Sequence, residues 1–241
     1  MSPTNEDKHR EAYASAEAEV RALEPSSIAA RSGMRWQGEV RGLADKAAPA
    51  DEAALAGSTS SGRDAGPSEA TGTLTFQALG TATSLTWPAL SFDAVHPVLH
   101  NFAWQLIALH YIRMATGRRP GTDWVSYREL PDGLFYANTI TREVEQPLAR
   151  LFATDPEGFR RAALALGGTE IDVADVAVAF HPLPHVPVVF ALWVEDEEFP
   201  AKMSVLYERE GTANLPLQDL RILADMLGAA LKRAADPQGR R

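Results

Sequence analysis

The residues from Val186 to Val194, VPVVFALWV, are apolar on both alternating faces: Val186, Val188, Phe190, Leu192 and Val194 on one, Val189, Ala191 and Trp193 on the other. A strand with that pattern is stable only where both of its faces are covered, so it predicts a central strand around which the rest of the chain must be built. Upstream, Pro182, Pro184 and Pro187 remove three backbone donors, so the ladder is expected to begin after Pro187 or along an edge. Downstream, Glu195-Asp196-Glu197-Glu198 cannot be desolvated together, so the chain must surface and turn there. Met203, Val205 and Tyr207 then alternate as a returning strand, giving a hairpin with an acidic tip.

The flanking sequence supplies partners for that hairpin. Leu74 and Phe76, then Leu85 and Trp87, are two alternating runs about Gly80 and predict a second hairpin. Ile171 and Val173, followed by Val176, Val178 and Phe180, predict a strand whose parity slips near Ala174-Asp175, as at a bulge. Helix periodicity runs through Val95, Leu99, Phe102, Leu106 and Leu109 and predicts a central buried helix from Asp93 to Gly117. A helical stripe from Tyr136 to Phe152 is interrupted by Pro147, which should kink or split it. Asp155-Pro156-Glu157 opens another helix with cap, proline and acid in order, and a last amphipathic helix runs from Pro216 to Leu231. Near the start, residues 6–23 read as a surface helix, Ser26-Ser27 as the cap of a short second helix ending at Gly33, and Trp36 and Val40 as a short strand. The expected architecture is α+β: a mainly antiparallel sheet of about five strands, built from 73–87 and 169–207 and packed by helices.

Residues 44–71 shift to Ala, Gly, Ser, Asp and Pro, with Leu55 as the one large aliphatic. Such a stretch buries too little to offset its ordering entropy and reads as a disordered low-complexity insert. The expected organisation is therefore an N-terminal helical segment at 1–43 packing on the main domain, the insert, the main α+β domain at 72–234 and a flexible tail at 235–241.

With a formal charge of −9 and no Lys or Arg run longer than two, the chain is not expected to bind nucleic acid. Zero cysteines excludes disulfides, thiol catalysis and thiolate-held metals or iron–sulfur clusters. No apolar run approaches the roughly 20 residues of a membrane helix, so no membrane partner is expected and a cytoplasmic location follows by default.

The segments LHYIRMATG, DWVSYRELPDGLFY, VEQPLARLF, HPLPHVPVVFALWVEDEEFPAKMSVLY and LPLQDLRILADML resemble, in that order, the uncharacterised bacterial family called domain of unknown function 3786. The resemblance runs from about Ala12 to Leu231 apart from the insert. Some members carry a cysteine-rich iron–sulfur segment beside this domain, which implies a role near metallocofactor or corrinoid metabolism. That part does not transfer to a chain without cysteine, and the D-x-H-x-x-G pattern of a cobalt-reaching histidine is absent: Asp93 and His96 have the wrong spacing. The family supplies no catalytic residue and names no cofactor.

Several groups carry candidate chemistry. His96 and His100 lie four apart and could hold one ion through two imidazoles with a third ligand from elsewhere, His110 being about 15 Å further along a helix axis and too far; without an H-E-x-x-H pattern ordinary hydrogen-bonded histidines are expected and no metal-ligand set is assigned. His181 and His185 sit about 13 Å apart in an extended chain, and a site with Asp196, Glu197 and Glu198 requires the hairpin ends to meet. On the irregular stretch from Arg118 to Gly133, Arg128 either pairs with Glu129 or faces an anionic ligand with Trp124 and Tyr127 as stacking surfaces. Three functional classes follow. A non-catalytic accessory or small-ligand-binding domain would place its pocket between the 124–133 loop and the acidic hairpin. A metal-dependent or acid–base enzyme would use His181, His185 and the acidic block. A protein-interaction module would bind a partner protein instead.

Overall fold

The computed structural model describes residues 5–40 and 70–235. Two helices, α1 (Asn5–Arg21) and α2 (Pro25–Ser32), lead into strand β1 (Arg35–Val40). The cap of α2 is Glu24, whose carboxylate accepts from Ser27 N at 2.8 Å, rather than the serines that follow it. Pro25 at the first helical position fixes that choice, because the residue before it is held extended and ready to cap. The expected insert lies outside the described residues except for Ala70 and Thr71, which already belong to β2 (Ala70–Ala78). The tail from 236 onward lies outside them too.

The apolar run is the middle of a five-stranded antiparallel sheet. Strand β8 (Val186–Trp193) lies between β7 (Val176–Leu183) and β9 (Lys202–Glu208), with β6 (Thr169–Ile171) beyond β7 and β5 (Trp124–Ser126) beyond β9. Val188, Phe190 and Leu192 on one face and Val189 and Ala191 on the other are all fully buried. Contrary to the expected start, β8 begins before Pro187: Val186 pairs with Leu183, and the register then shifts between Phe180 and Leu183. Pro187 faces that irregularity and lies one residue short of Val188↔Tyr207, the first pair with β9, so its missing N–H interrupts neither ladder. The acidic residues 195–198 are exposed between β8 and β9, as their charge requires. Asp196 Oδ1 closes the turn by accepting from Glu198 N at 2.8 Å and Phe199 N at 2.7 Å.

The parity slip near Ala174-Asp175 is a reversal, not a bulge: β6 and β7 pair antiparallel, Thr169 opposite Ala179 and Ile171 opposite Ala177. Antiparallel pairing throughout holds, but the single sheet divides in two. Strands β2 and β3 (Thr81–Trp87) pair with each other, β2 with β1, and β3 with β4 (Phe92–Ala94), making a four-stranded sheet in the order β1-β2-β3-β4. The reason lies in edges. The outer edges of β7 and β9 are occupied by three-residue strands too short to extend the ladder, so the 70–87 hairpin has nothing to join. The sheets touch where Leu79 N donates to the His181 carbonyl at 2.8 Å, at the irregular end of β7.

Between the sheets, α3 (Phe102–Met114) is buried at Trp104, Ile107, Ala108, Leu109, Tyr111 and Ile112. Trp104 stacks on Phe76 at 6.4 Å and donates its indole N–H to the Pro182 carbonyl at 3.1 Å, joining both sheets. Only the second half of the expected 93–117 helix forms as one. Pro97 keeps His96 extended and starts a 3-10 turn over Pro97–His100, and Asn101 caps α3 by accepting from Ala103 N at 2.8 Å.

Pro147 splits its helix as expected, and the way it does so is informative. After α4 (Leu134–Ile140) comes a π turn, Thr141–Glu145, then α5 (Gln146–Phe152). Proline has no N–H for the Glu143 carbonyl one turn back, and Lys232 Nζ takes that carbonyl at 3.2 Å. Glu145, carried on the widened turn, accepts from Val205 N at 2.9 Å where β9 runs beyond its short partner β5. Helix α6 (Pro156–Ala165) is capped by Asp155 through Gly158 N at 2.7 Å, and α7 (Leu217–Ala235) closes the core with Lys232 and Arg233 at its carbonyl end. No helix among the described residues is long and apolar enough to cross a membrane.

Candidate functional site

Alternation in a sheet sends every second residue to the same side, so the inward set Leu74, Phe76, Thr83 and Leu85 defines an outward set on the same strands. Cross-strand register assembles that outward set into rows. Arg35 is opposite Thr75, Thr75 opposite Ser84, and Ser84 opposite Asp93, a polar row crossing all four strands. A second row beside it holds Gln77 opposite Ala82, flanked by Gly33 and Val95. Together they line a concave site of about 650 Å³. Arg35 and Asp93 are exposed, Thr75 and Ser84 half-buried, and among the described residues none of the four side chains makes a hydrogen bond or ion pair. Guanidinium, carboxylate and two hydroxyls therefore lie unpartnered on one rigid face.

Beside this site, against its lining residue Gly33, lies the turn between β7 and β8. Gly33, in the left-handed region at φ +69°, packs so closely on that turn that a Cβ there would lie 2.6 Å from His185 Nε2. His185 is half-buried, and its Nδ1 is enclosed without a hydrogen-bond partner. Burial, and then the positive Arg119, hold its pKa below the ordinary histidine value, so the ring is neutral at pH 7. Behind it Tyr111 donates to the Ser32 carbonyl at 2.6 Å, and burial pushes that phenol far above its usual range.

The other residues singled out in the sequence are set apart from one another. Trp124 lies half-buried on β5, packed against the small cluster of Ala177, Ala179, Val189 and Ala191 on the outer face of the five-stranded sheet. Tyr127 is in the core, not on a loop surface: its hydroxyl donates to the Leu217 carbonyl at 2.9 Å, its ring meets Tyr207 edge-on at 5.9 Å, and burial raises its pKa to about 12. Arg128 and Glu129 do not pair. Arg128 donates to Asn138 Oδ1 at 3.0 Å, while Glu129 accepts from the Ser126 N–H and hydroxyl at 2.8 and 2.7 Å, bonds that hold its carboxyl below the usual carboxylate range. Both residues stabilise the turn after β5.

His181 lies near the end of β7 and His185 just before β8, while Asp196, Glu197 and Glu198 follow the far end of β8, so a strand of eight residues, about 26 Å, separates imidazoles from carboxylates. His96 caps the 3-10 turn by accepting from Val98 N at 3.3 Å, and His100 bonds the Ala94 carbonyl at 2.5 Å. His110 is paired with Asp219 at 2.7 Å, pinning α3 to α7. The described residues contain no group of three or more His, Cys, Asp or Glu placed to hold a metal ion.

Of the outward set on the four-stranded sheet, only Asp93 stood out in the sequence, and as the start of a helix. The signal was present as the polar parity of β2 and β3: Thr73, Thr75 and Gln77 interleaved with Leu74 and Phe76, and Ala82, Ser84 and Thr86 with Thr83 and Leu85.

Fold and site together define an α+β protein of two antiparallel sheets with a polar concavity on the outer face of the smaller one. The chain belongs to the family described as "Domain of unknown function (DUF3786)", whose model matches residues 58–230. That span contains all five quoted motifs, and Thr75, Ser84 and Asp93; α1, α2 and β1, with Arg35, precede it. No curated protein and no solved structure matches the chain.

Proposed function

We propose that this protein is a non-catalytic accessory domain that binds a small polar ligand on the outer face of the four-stranded sheet. One observation carries the reading: four hydrogen-bonding side chains of different character, Arg35, Thr75, Ser84 and Asp93, converge on one concavity and spend none of that capacity on each other. A solvated sheet face ordinarily links such groups in cross-strand pairs. Mounted on paired strands, they are held in place without the ordering cost a loop would incur on binding. The strong acidity, with no membrane-length apolar helix among the described residues, supports a soluble, cytoplasmic setting.

The test is thermal shift of the full chain against metals, nucleotides, corrinoids, sugars, amino acids and short peptides, beside an Ala82→Trp variant. Ala82 is exposed on the floor of the site, so Trp obstructs it without entering the core. A ligand at a hundred times its Kd stabilises by about 2.7 kcal/mol, and that stabilisation is expected to vanish in the variant. A panel with no such ligand, or one whose ligands stabilise the Ala82→Trp chain equally, overturns the reading.

A further inference from the structure

Resting on that reading, we infer that the ligand is a short zwitterionic peptide, dipeptide-sized, lying across the strands with its carboxylate on Arg35 and its ammonium on Asp93. The two charges are the ends of one register row, Arg35, Thr75, Ser84, Asp93, and neither has a side-chain partner among the described residues. Three inter-strand spacings separate their Cα atoms by about 14 Å, and side chains that rise from one face roughly perpendicular to the sheet carry their charges at about that same separation. Each ion pair occupies about 3.5–4 Å between charge centres, which leaves about 6–7 Å between the ligand's own charges. That is the span of an extended dipeptide. An α-amino acid is too short to reach both ends.

The middle of the row discriminates further. Thr75 and Ser84 present hydroxyls that both donate and accept, and a peptide bond offers one donor and one acceptor at that point. An ω-amino acid of equal length leaves both hydroxyls facing methylenes. The neighbouring row is floored by Gly33 and Ala82, whose lack of bulk leaves room for short side chains, with Val95 as an apolar rim and Gln77 between. The opposed charges also account for recognition of a neutral molecule by a chain whose net charge of −9 repels simple anions.

The experiment is an NMR titration of the full chain, following backbone amides of β1–β4, with L-alanyl-L-alanine as probe. Its N-acetyl form, its C-terminal amide and 5-aminopentanoate are the comparisons. Saturable shifts confined to these strands are expected for the free dipeptide, with binding about fivefold or more weaker for each of the three analogues. Arg35→Met is expected to abolish the difference between free acid and amide while keeping that between free and acetylated amine; Asp93→Asn is expected to do the reverse. Equal binding of blocked and free peptides, or shifts that survive Ala82→Trp, overturn the inference. If a non-zwitterionic compound from the wider panel binds here and the dipeptide does not, the zwitterion is wrong and the ligand-binding role stands. If nothing binds, both fall.

Discussion

Replacing Gly33 by alanine tests the packing of the α2–β1 connection on the β7–β8 turn beside the site. Gly33 has φ +69°, a conformation that sets Cβ against the neighbouring carbonyl and disfavours an L side chain by about 1–2 kcal/mol. The added methyl would also stand 2.6 Å from His185 Nε2 and 3.1 Å from Pro184 Cβ. The imidazole must swing from its rotamer to make room, which costs about a further 1 kcal/mol. The expected loss is therefore about 2–3 kcal/mol, read as a lower urea midpoint at unchanged m-value by tryptophan fluorescence and circular dichroism. The backbone and contact contributions separate in a double-mutant cycle. With His185→Ala as background the ring is gone and the φ penalty remains, so Gly33→Ala should then cost about 1–2 kcal/mol, a coupling of about 1 kcal/mol. A loss below about 0.5 kcal/mol in the parent, or the same loss in both backgrounds, would refute the close packing of the β7–β8 turn on Gly33.

Two further outcomes follow from burial. Phe190, fully buried at the centre of β8 and edge-on to Phe180 at 5.8 Å, is expected to cost about 3–5 kcal/mol when truncated to alanine; a loss under 1 kcal/mol by denaturant titration would show that β8 is not the central strand. Acid should also destabilise the chain before its carboxylates titrate. Burial first, then the neighbouring His100, lowers the pKa of His96, and burial with Arg119 lowers that of His185. Both are neutral in the fold and bind a proton more readily unfolded. Their contribution is fully present above about pH 6.5 and is lost as pH falls from there through their folded pKa values, at most about 1.4 kcal/mol per pH unit for each. Melting temperature is expected to decline from pH 7 to 5, and less steeply in His96→Asn, which keeps a capping acceptor; a slope unchanged by that substitution would remove His96 from the explanation.

The legible parts of this fold were those set within a few residues. Asp155-Pro156 announced α6 and Pro147 the split between α4 and α5, and the doubly apolar parity of 186–194 announced a strand covered on both faces. What misled was also local: the three-and-four spacing through Val95 and Leu99 imitated a helix where Pro97 forbids one, and the parity change near Ala174 was a turn seen as a bulge. Tyr127 and Arg128, conspicuous in a stretch without periodicity, proved to be a core phenol and a turn brace.

By itself, then, the sequence determined which segments must be buried, where helices begin, and that four adjacent carboxylates must face water, because solvation and backbone sterics act on neighbours in the chain. Tertiary structure decided the division into two sheets and the site on the smaller one. Arg35 and Asp93 are 58 positions apart and line one site only because β2 and β3 pair between them in one register. Registry across strands is a property of which edges remain free to pair, and no local pattern carries it.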